Sequence, residues 1–389
     1  MLSRKASVAF VALLSIALLL LIGRSVITVR DADISDFRCF YGAATIARAG
    51  GDPYDPGTWS AAVYTDPTRV PHCARSFIYP FWTALALVPL TVLPEQAAVA
   101  AWEVIILSCV GAAALLIART RPLIGDTRVL LLTIAWSQPL FSAVANAQFG
   151  PVIFAGVAVL AFALERSRAT LAGVAWLALL IKPHLSALVL LVALAAKWGR
   201  WMVATLAATI ALLMASQVVL SAWPARWLRA VLDQRLDVDA GLSSLWTLAA
   251  DAGLASGLGA LVSFIAAAAY ILAARRFARA PFELLCVAVT VTLIVTPYAR
   301  PHDLIVLALP ASLALAAAKR ADHAGRRELL AGFVMTMFVL PWAITLASLF
   351  GLPLASYVAI ALLTAVLTLR AMRVSEPGAG SAAARSDRR

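Results

Sequence analysis

Apolar residues in this chain gather into runs, and the polar residues fall between the runs in short clusters. A helix of about 20 apolar residues crosses the roughly 30 Å hydrocarbon layer of a bilayer. By that measure the pattern predicts twelve spans, near residues 8–29, 97–118, 129–145, 149–165, 169–181, 185–196, 201–221, 257–274, 283–296, 302–318, 329–348 and 352–369. The first follows Arg4 and Lys5. It is longer than the apolar core of a cleaved leader, so it reads as a retained helix. The run 77–93 contains Pro80 and Pro89 and ends at Pro94. It is expected to lie along or dip into the membrane surface, because counting it as a span reverses every later loop. Spans 169–181 and 185–196 are short. One helix kinked at Pro183 is the alternative, but it puts Arg166/Arg168 and Lys197/Arg200 on opposite sides.

Composition agrees with this pattern. Hydrophobic residues make up 62% of the 389, against roughly 45–50% in a soluble domain. The fold class is therefore an all-α polytopic membrane protein. The formal charge of +12 invites a nucleic-acid reading. The basic residues, however, flank apolar runs and do not form a patch interleaved with aromatics. They follow the positive-inside rule. With Met1 cytoplasmic, the cytoplasmic segments hold 21 of the 32 basic residues and seven of the 20 acids, a net +14 that leaves −2 for the rest. Both termini are then cytoplasmic. The opposite face carries outer loops 30–96 and 222–256 and tight turns at 146–148, 182–184 and 297–301. One membrane domain covers 1–374, and the small, polar stretch 375–389 reads as a disordered cytoplasmic tail.

Four polar clusters fall on that outer face: Asp31-Ala-Asp33-Ile-Ser-Asp36, Asn146-Ala-Gln148, Lys182-Pro-His184 and Tyr298-Ala-Arg300-Pro-His302-Asp303. Ionisable groups at membrane depth are costly and usually functional. Each has a plainer reading. Asp36 caps a helix that the spacing of Phe37, Phe40, Tyr41, Ala44 and Ile46 predicts to lie on the membrane surface. Lys182 snorkels, His302 caps the following helix or bonds a carbonyl, and Asp303 caps the tenth span or pairs with Arg300. Asn146 and Gln148 satisfy a tight turn, and Tyr41 and Tyr79 belong to an interfacial aromatic belt. Independent accounts of this kind do not explain one shared face. Cys39 and Cys73 share the first loop, where a disulfide is permitted if that loop is outside the cytosol; two free thiols are the alternative. Cys109 and Cys286 sit in apolar runs. His72 and Cys73 have no second ligand pair at zinc spacing, and no P-loop, dinucleotide fingerprint or nucleophile elbow is present. Asp33, Asp36 and Asp303 offer ligands for a divalent ion, but nothing in the sequence requires a metal or a cofactor.

The acidic residue after the first span, the aromatic-rich helix and Gly50-x-x-Pro53-Tyr54 resemble the start of a C-type glycosyltransferase. In order, Phe77-Ile-Tyr79-Pro80, Asn146-Ala-Gln148, Lys182-Pro-His184 and Thr296-Pro-Tyr298 with His302-Asp303-Leu304 resemble motifs of glycosyltransferase family 87, the polyprenyl-phosphate-mannose-dependent α-mannosyltransferase-like proteins. Ala147 stands where that family has Gly, and His184 where it has Gln. The resemblance implies a bacterial inner-membrane enzyme working at the outer surface. It would move a hexose, mannose by family expectation, from a polyprenyl-phosphate donor to a lipid or glycan acceptor. It implies that Asp36 is the catalytic base, with Asp33 next in line. A carboxylate there takes the acceptor hydroxyl's proton as its oxygen attacks the anomeric carbon. Lys182, Arg300 and His302 would bind the donor phosphate. Asp33, Tyr41, Tyr79, Asn146, Gln148, His184, Tyr298 and Asp303 would contact substrate, and aromatics of the 222–256 loop, among them Trp223, Trp227 and Trp246, would contact sugar rings. Direct displacement predicts inversion. A transporter or lipid flippase using the same charges is the rival reading, and a non-catalytic scaffold a further one.

Overall fold

The computed structural model describes residues 4–31, 35–64, 73, 76–120, 127–233, 244–246, 249, 253, 256–275, 280–350 and 357–375. Asp33, most of 234–255 and the tail 376–389 lie outside them. The described residues are helical, with no strand. The helices are α1 (Arg4–Arg30), α2 (Phe37–Arg48), α3 (Pro56–Val63), α4 (Phe81–Leu87), α5 (Glu95–Thr120), α6 (Thr127–Ala135), α7 (Gln138–Ala145), α8 (Gly150–Glu165) and α9 (Ala169–Leu179). Then come α10 (Pro183–Ala195), α11 (Gly199–Val219), α12 (Trp223–Asp233), α13 (Ser256–Ala274), α14 (Pro281–Val295), α15 (Ala308–Ala318), α16 (His323–Val334), α17 (Leu340–Leu349) and α18 (Val358–Ser375).

Six segments are long and apolar enough to cross a membrane: Ser7–Arg30, Glu95–Thr120, Gly199–Val219, Gly257–Ala274, Pro301–Ala318 and His323–Leu349. A seventh is counted if α6 and α7, bent by 47° at Trp136–Ser137, form one span. The sequence pattern predicts twelve. The difference lies in α18, which is not among these segments, and in helices that are apolar but short: α8, α9, α10 and α14 run 16, 11, 13 and 15 residues, or about 16 to 24 Å at 1.5 Å per residue. The predicted span 129–145 is broken because Ser137 ends α6 and caps α7, its hydroxyl accepting from Leu140 N with Pro139 in the first turn. The predicted span 329–348 is continuous but carries a π-helical turn at Met335–Val339.

The predicted surface segment 77–93 is α4 followed by a 3₁₀ turn, Val88–Val92. Its place is set by protein contacts as well as by apolarity. Trp82 Nε1 donates to Leu180 O at 3.0 Å and packs edge-on against Trp223 at 4.9 Å. Amphipathic α2 is a correction of the same kind. Its apolar face, with Phe37, Phe40, Ala43, Ala44, Ile46 and Ala47 all buried, packs on α3, α4 and the 3₁₀ turn. Periodicity shows that a face is covered; it does not name the cover. The polar face is tied down as well. Arg38 pairs with Glu95, Arg48 Nη1 donates to Thr91 O at 2.5 Å, and Cys39 and Cys73 are joined by a disulfide.

Helix α9 packs between α8 and α11, and α10 packs chiefly on α14, with tight turns at Ser167 (φ 55°) and, beyond α10, at Lys197 (φ 56°). A Cβ at Gly173 would lie 2.9 Å from Ala204 O, so the backbones of α9 and α11 touch there. This winding leaves the N-terminus of α8, the α9–α10 turn and the start of the 3₁₀ segment Pro301–Leu307 at one end of the bundle, next to α2.

Candidate active site

Two polar clusters occupy that end, and one turn joins them. Asp36 stands at the N-cap position of α2, but its side chain makes no capping bond. Its carboxylate accepts from Gln148 Nε2, and its backbone N donates to Asn146 O at 3.2 Å. The capping account of Asp36 therefore fails. A residue that spends its carboxylate across the fold is held for its position. Gln148 is buried and bonded on both sides, since Tyr79 OH lies 3.5 Å from its Oε1. Asn146 is turned the other way, its Nδ2 donating to Ser142 O at 2.8 Å as an end-cap of α7. Ala147 adopts φ 48°. Its N reaches Val144 O and Gln148 N reaches Ala143 O, the paired bonds of a helix that ends in a left-handed residue.

The second cluster is an ion pair with a histidine beside it. Lys182 Nζ donates to Asp303 Oδ1 at 2.7 Å and lies 3.3 Å from His302 Nε2. Lys182 is 1% exposed and Asp303 0%, so Lys182 does not snorkel. The other oxygen of Asp303 accepts Arg300 N at 3.0 Å and so caps the 3₁₀ segment. Arg300 is half-buried, its guanidinium 5.4 Å from the Tyr298 ring and its Nε 3.2 Å from the Tyr298 hydroxyl. His184 packs edge-on against Tyr298 at 6.0 Å, and its Nε2 is buried without a partner among the described residues.

Gly150 brings the clusters together. A Cβ there would sit 2.4 Å from His302 O, so the start of α8 lies against the backbone of the ion-pair segment. Only glycine fits. Tyr79 reads both clusters electrostatically: burial raises its phenol well above the ordinary value, helped by Tyr298 and by the carboxylates of Asp36 and Asp303. Its ring packs among Phe40, Phe77 and Phe149, so Tyr79 is held inside the protein beside both clusters.

The geometry therefore gathers Asp36, Tyr79, Gln148, Lys182, His184, Tyr298, Arg300, His302 and Asp303. It leaves out Tyr41, whose hydroxyl donates to Leu93 O at 2.8 Å. Trp223, Trp227 and Trp246 spend their indole N–H groups on Ser216 Oγ, Ile78 O and Val295 O. Sequence reasoning passed over three neighbours of the site. Tyr54, inside the Gly50–Tyr54 motif, donates to Tyr79 O at 2.8 Å. Trp102 donates to Ala147 O at 2.7 Å, and Arg24 to Ala145 O at 3.0 Å. Arg24 was visible as the one charged residue within the first predicted apolar run, 8–29.

The fold and the cluster define a helical membrane protein with a half-buried carboxylate, Asp36, and a buried lysine–aspartate pair at one end of the bundle. The sequence profile of glycosyltransferase family 87 matches residues 77–297, more than half of the chain. The chain belongs to that family and is a membrane glycosyltransferase. The matched range includes Tyr79, the Asn146–Gln148 turn and Lys182–His184; Asp36, Gly50–Tyr54 and Tyr298–Asp303 lie outside it. No curated protein and no solved structure matches.

Proposed function

We propose that this glycosyltransferase is an inverting hexosyltransferase with Asp36 as its general base. Its donor is a polyprenyl-phosphate sugar, mannose by family expectation. Its acceptor is a lipid or glycan at the outer face of the bacterial inner membrane. The acceptor O–H gives its proton to Asp36 while its oxygen bonds to the anomeric carbon. The bond from that carbon to the phosphate oxygen breaks, and polyprenyl phosphate leaves. Such a leaving group calls for cations more than for an acid. Arg300 is the half-buried cation of the set, and Lys182 reinforces it from behind while balanced by Asp303. Tyr79, Tyr298 and His184 then frame the sugar. Asp303 and His302 set Lys182 in place.

The observation that carries this reading is the seat of Asp36. Its side chain is held by Gln148 beside the Lys182–Asp303–His302 group, and no helix-capping role accounts for it. The Cys39–Cys73 bond three residues further on supports an extracytoplasmic site, because disulfides persist in oxidising compartments. Helices α8, α9, α10 and α14, together with α18, are proposed as the crossings that complete the twelve, α6 and α7 counting as one.

The test is transfer from radiolabelled polyprenyl-phosphate mannose in membrane vesicles. Wild-type protein is expected to turn the donor over, and Asp36→Asn to lose about 10²- to 10⁴-fold, the usual worth of a general base. An Asp36→Asn variant as fast as wild type removes Asp36 from the reaction.

A further inference from the structure

Beneath the proposed active site lies a second polar cluster, at the membrane depth of α1 and α5. Arg24 is six residues before the end of α1 and Glu103 eight residues into α5, so each stands about 9 to 12 Å from the site end of its helix. Charge at such depth is expensive and needs a reason.

The reason is visible at the turn after α7. Four consecutive carbonyls there are each met by a donor from elsewhere in the chain. Thr28 Oγ1 lies 3.3 Å from Val144 O. Arg24 Nη2 donates to Ala145 O at 3.0 Å. Asp36 N donates to Asn146 O at 3.2 Å. Trp102 Nε1 donates to Ala147 O at 2.7 Å. A helix C-terminus carries about half a negative charge, which favours a cation placed against it. Glu103 is buried and is the carboxylate within electrostatic reach of Arg24; its Oε2 accepts from Ser25 at 3.0 Å. Its Oε1 and Arg24 Nη1 have no partner among the described residues. So Arg24 is spent on the turn, with the Glu103 carboxyl near it but not bonded to it.

We propose that Arg24 and Trp102 are positioning residues: they fix residues 145–147 so that Gln148 presents Asp36 to the acceptor hydroxyl. The inference rests on the general-base reading above. The clamp sets the rate through a displacement of the base, not through contact with substrate. A shift of about 1 Å in a reacting group is enough to cost roughly 100-fold.

Removing Arg24 alone leaves the Glu103 carboxyl buried without the cation near it, which also costs stability, so the decisive variant removes both. Arg24→Met/Glu103→Met is expected to unfold near the wild-type temperature, to keep the KM for donor and to lose roughly 10- to 100-fold in kcat. Arg24→Lys, which keeps a donor and a charge, is expected to recover part of that loss. Trp102→Phe, which keeps the ring and removes the N–H, should lower kcat in the same direction. A double variant with wild-type kcat overturns the proposal and leaves Asp36 as base untouched. So does one whose loss appears in KM alone. Wild-type protein that transfers no sugar overturns both readings.

Discussion

At the scale of single residues, the cost of burying charge decides which predictions are strong. Lys182 and Asp303 are both essentially inaccessible and 2.7 Å apart. Each is tolerable only because of the other. Lys182→Met should therefore destabilise the protein by about 3–5 kcal/mol, since it leaves Asp303 buried and unbalanced. Lys182→Met/Asp303→Asn should recover most of that, because the Asn oxygen can still accept Arg300 N. Chemical unfolding in detergent measures both, and a double variant no more stable than the single one contradicts the ion-pair account. Ala147 gives the opposite sign. Its φ of 48° is left-handed, a region that costs a residue with a Cβ roughly 1 kcal/mol. Ala147→Gly should raise the unfolding midpoint by about that amount, offset in part by the added freedom of glycine in the unfolded chain. A fall in the midpoint would show that the strain argument has the wrong sign.

At the scale of elements, α2 is the part that must stay still, since Asp36 sits at its first turn. Its buried face supplies adhesion and its polar face supplies fastening, through Arg38, Arg48 and Cys39. The Cys39–Cys73 bond closes a loop with a separation of 34 residues, and chain-entropy reasoning gives such a link about 2–4 kcal/mol. Cys39→Ser/Cys73→Ser should lose that much, and reductant should produce the same shift in wild type and none in the variant. Equal midpoints before and after reduction would mean that the apolar face alone holds α2. Much of this element was legible: the spacing of Phe37, Phe40, Ala44 and Ile46 marks an amphipathic helix, and Asp36 stands at its head. The partner of its apolar face was not, because a hydrophobic period is the same against lipid as against α4. The same limit hid the break at Trp136–Ser137, where a run of apolar residues reads as one span. The site residues were legible as polar clusters between runs, but their pairing was not. Nothing in the order of the chain says that Lys182 takes Asp303 while Gln148 takes Asp36; that follows from Gly150 lying against His302.

At the scale of the whole molecule, the arrangement depends on short helices turning back at the right ends. Gln148 and Ser167 are separated by α8, 16 residues or about 24 Å of helix. Such a helix can cross a bilayer only if the membrane thins or its ends are buried in protein, and eleven of its residues, Gly150 to Leu164, are buried. If α8 crosses, the Arg166–Arg168 turn lies opposite the site, where the charge bias toward the cytoplasm puts it. If α8 is a half-span, that turn returns to the same side. Single cysteines distinguish the two. Ser60 on α3 and Ser167 in the α8–α9 turn are both exposed. A membrane-impermeant maleimide applied to intact cells should label Ser60→Cys at once, and Ser167→Cys only after the membrane is opened. Labelling of both from outside would make α8 re-entrant and remove the twelve-crossing scheme. Labelling of Ser167→Cys alone would turn the molecule over and put Asp36 on the cytoplasmic face, where a stable Cys39–Cys73 bond would not be expected.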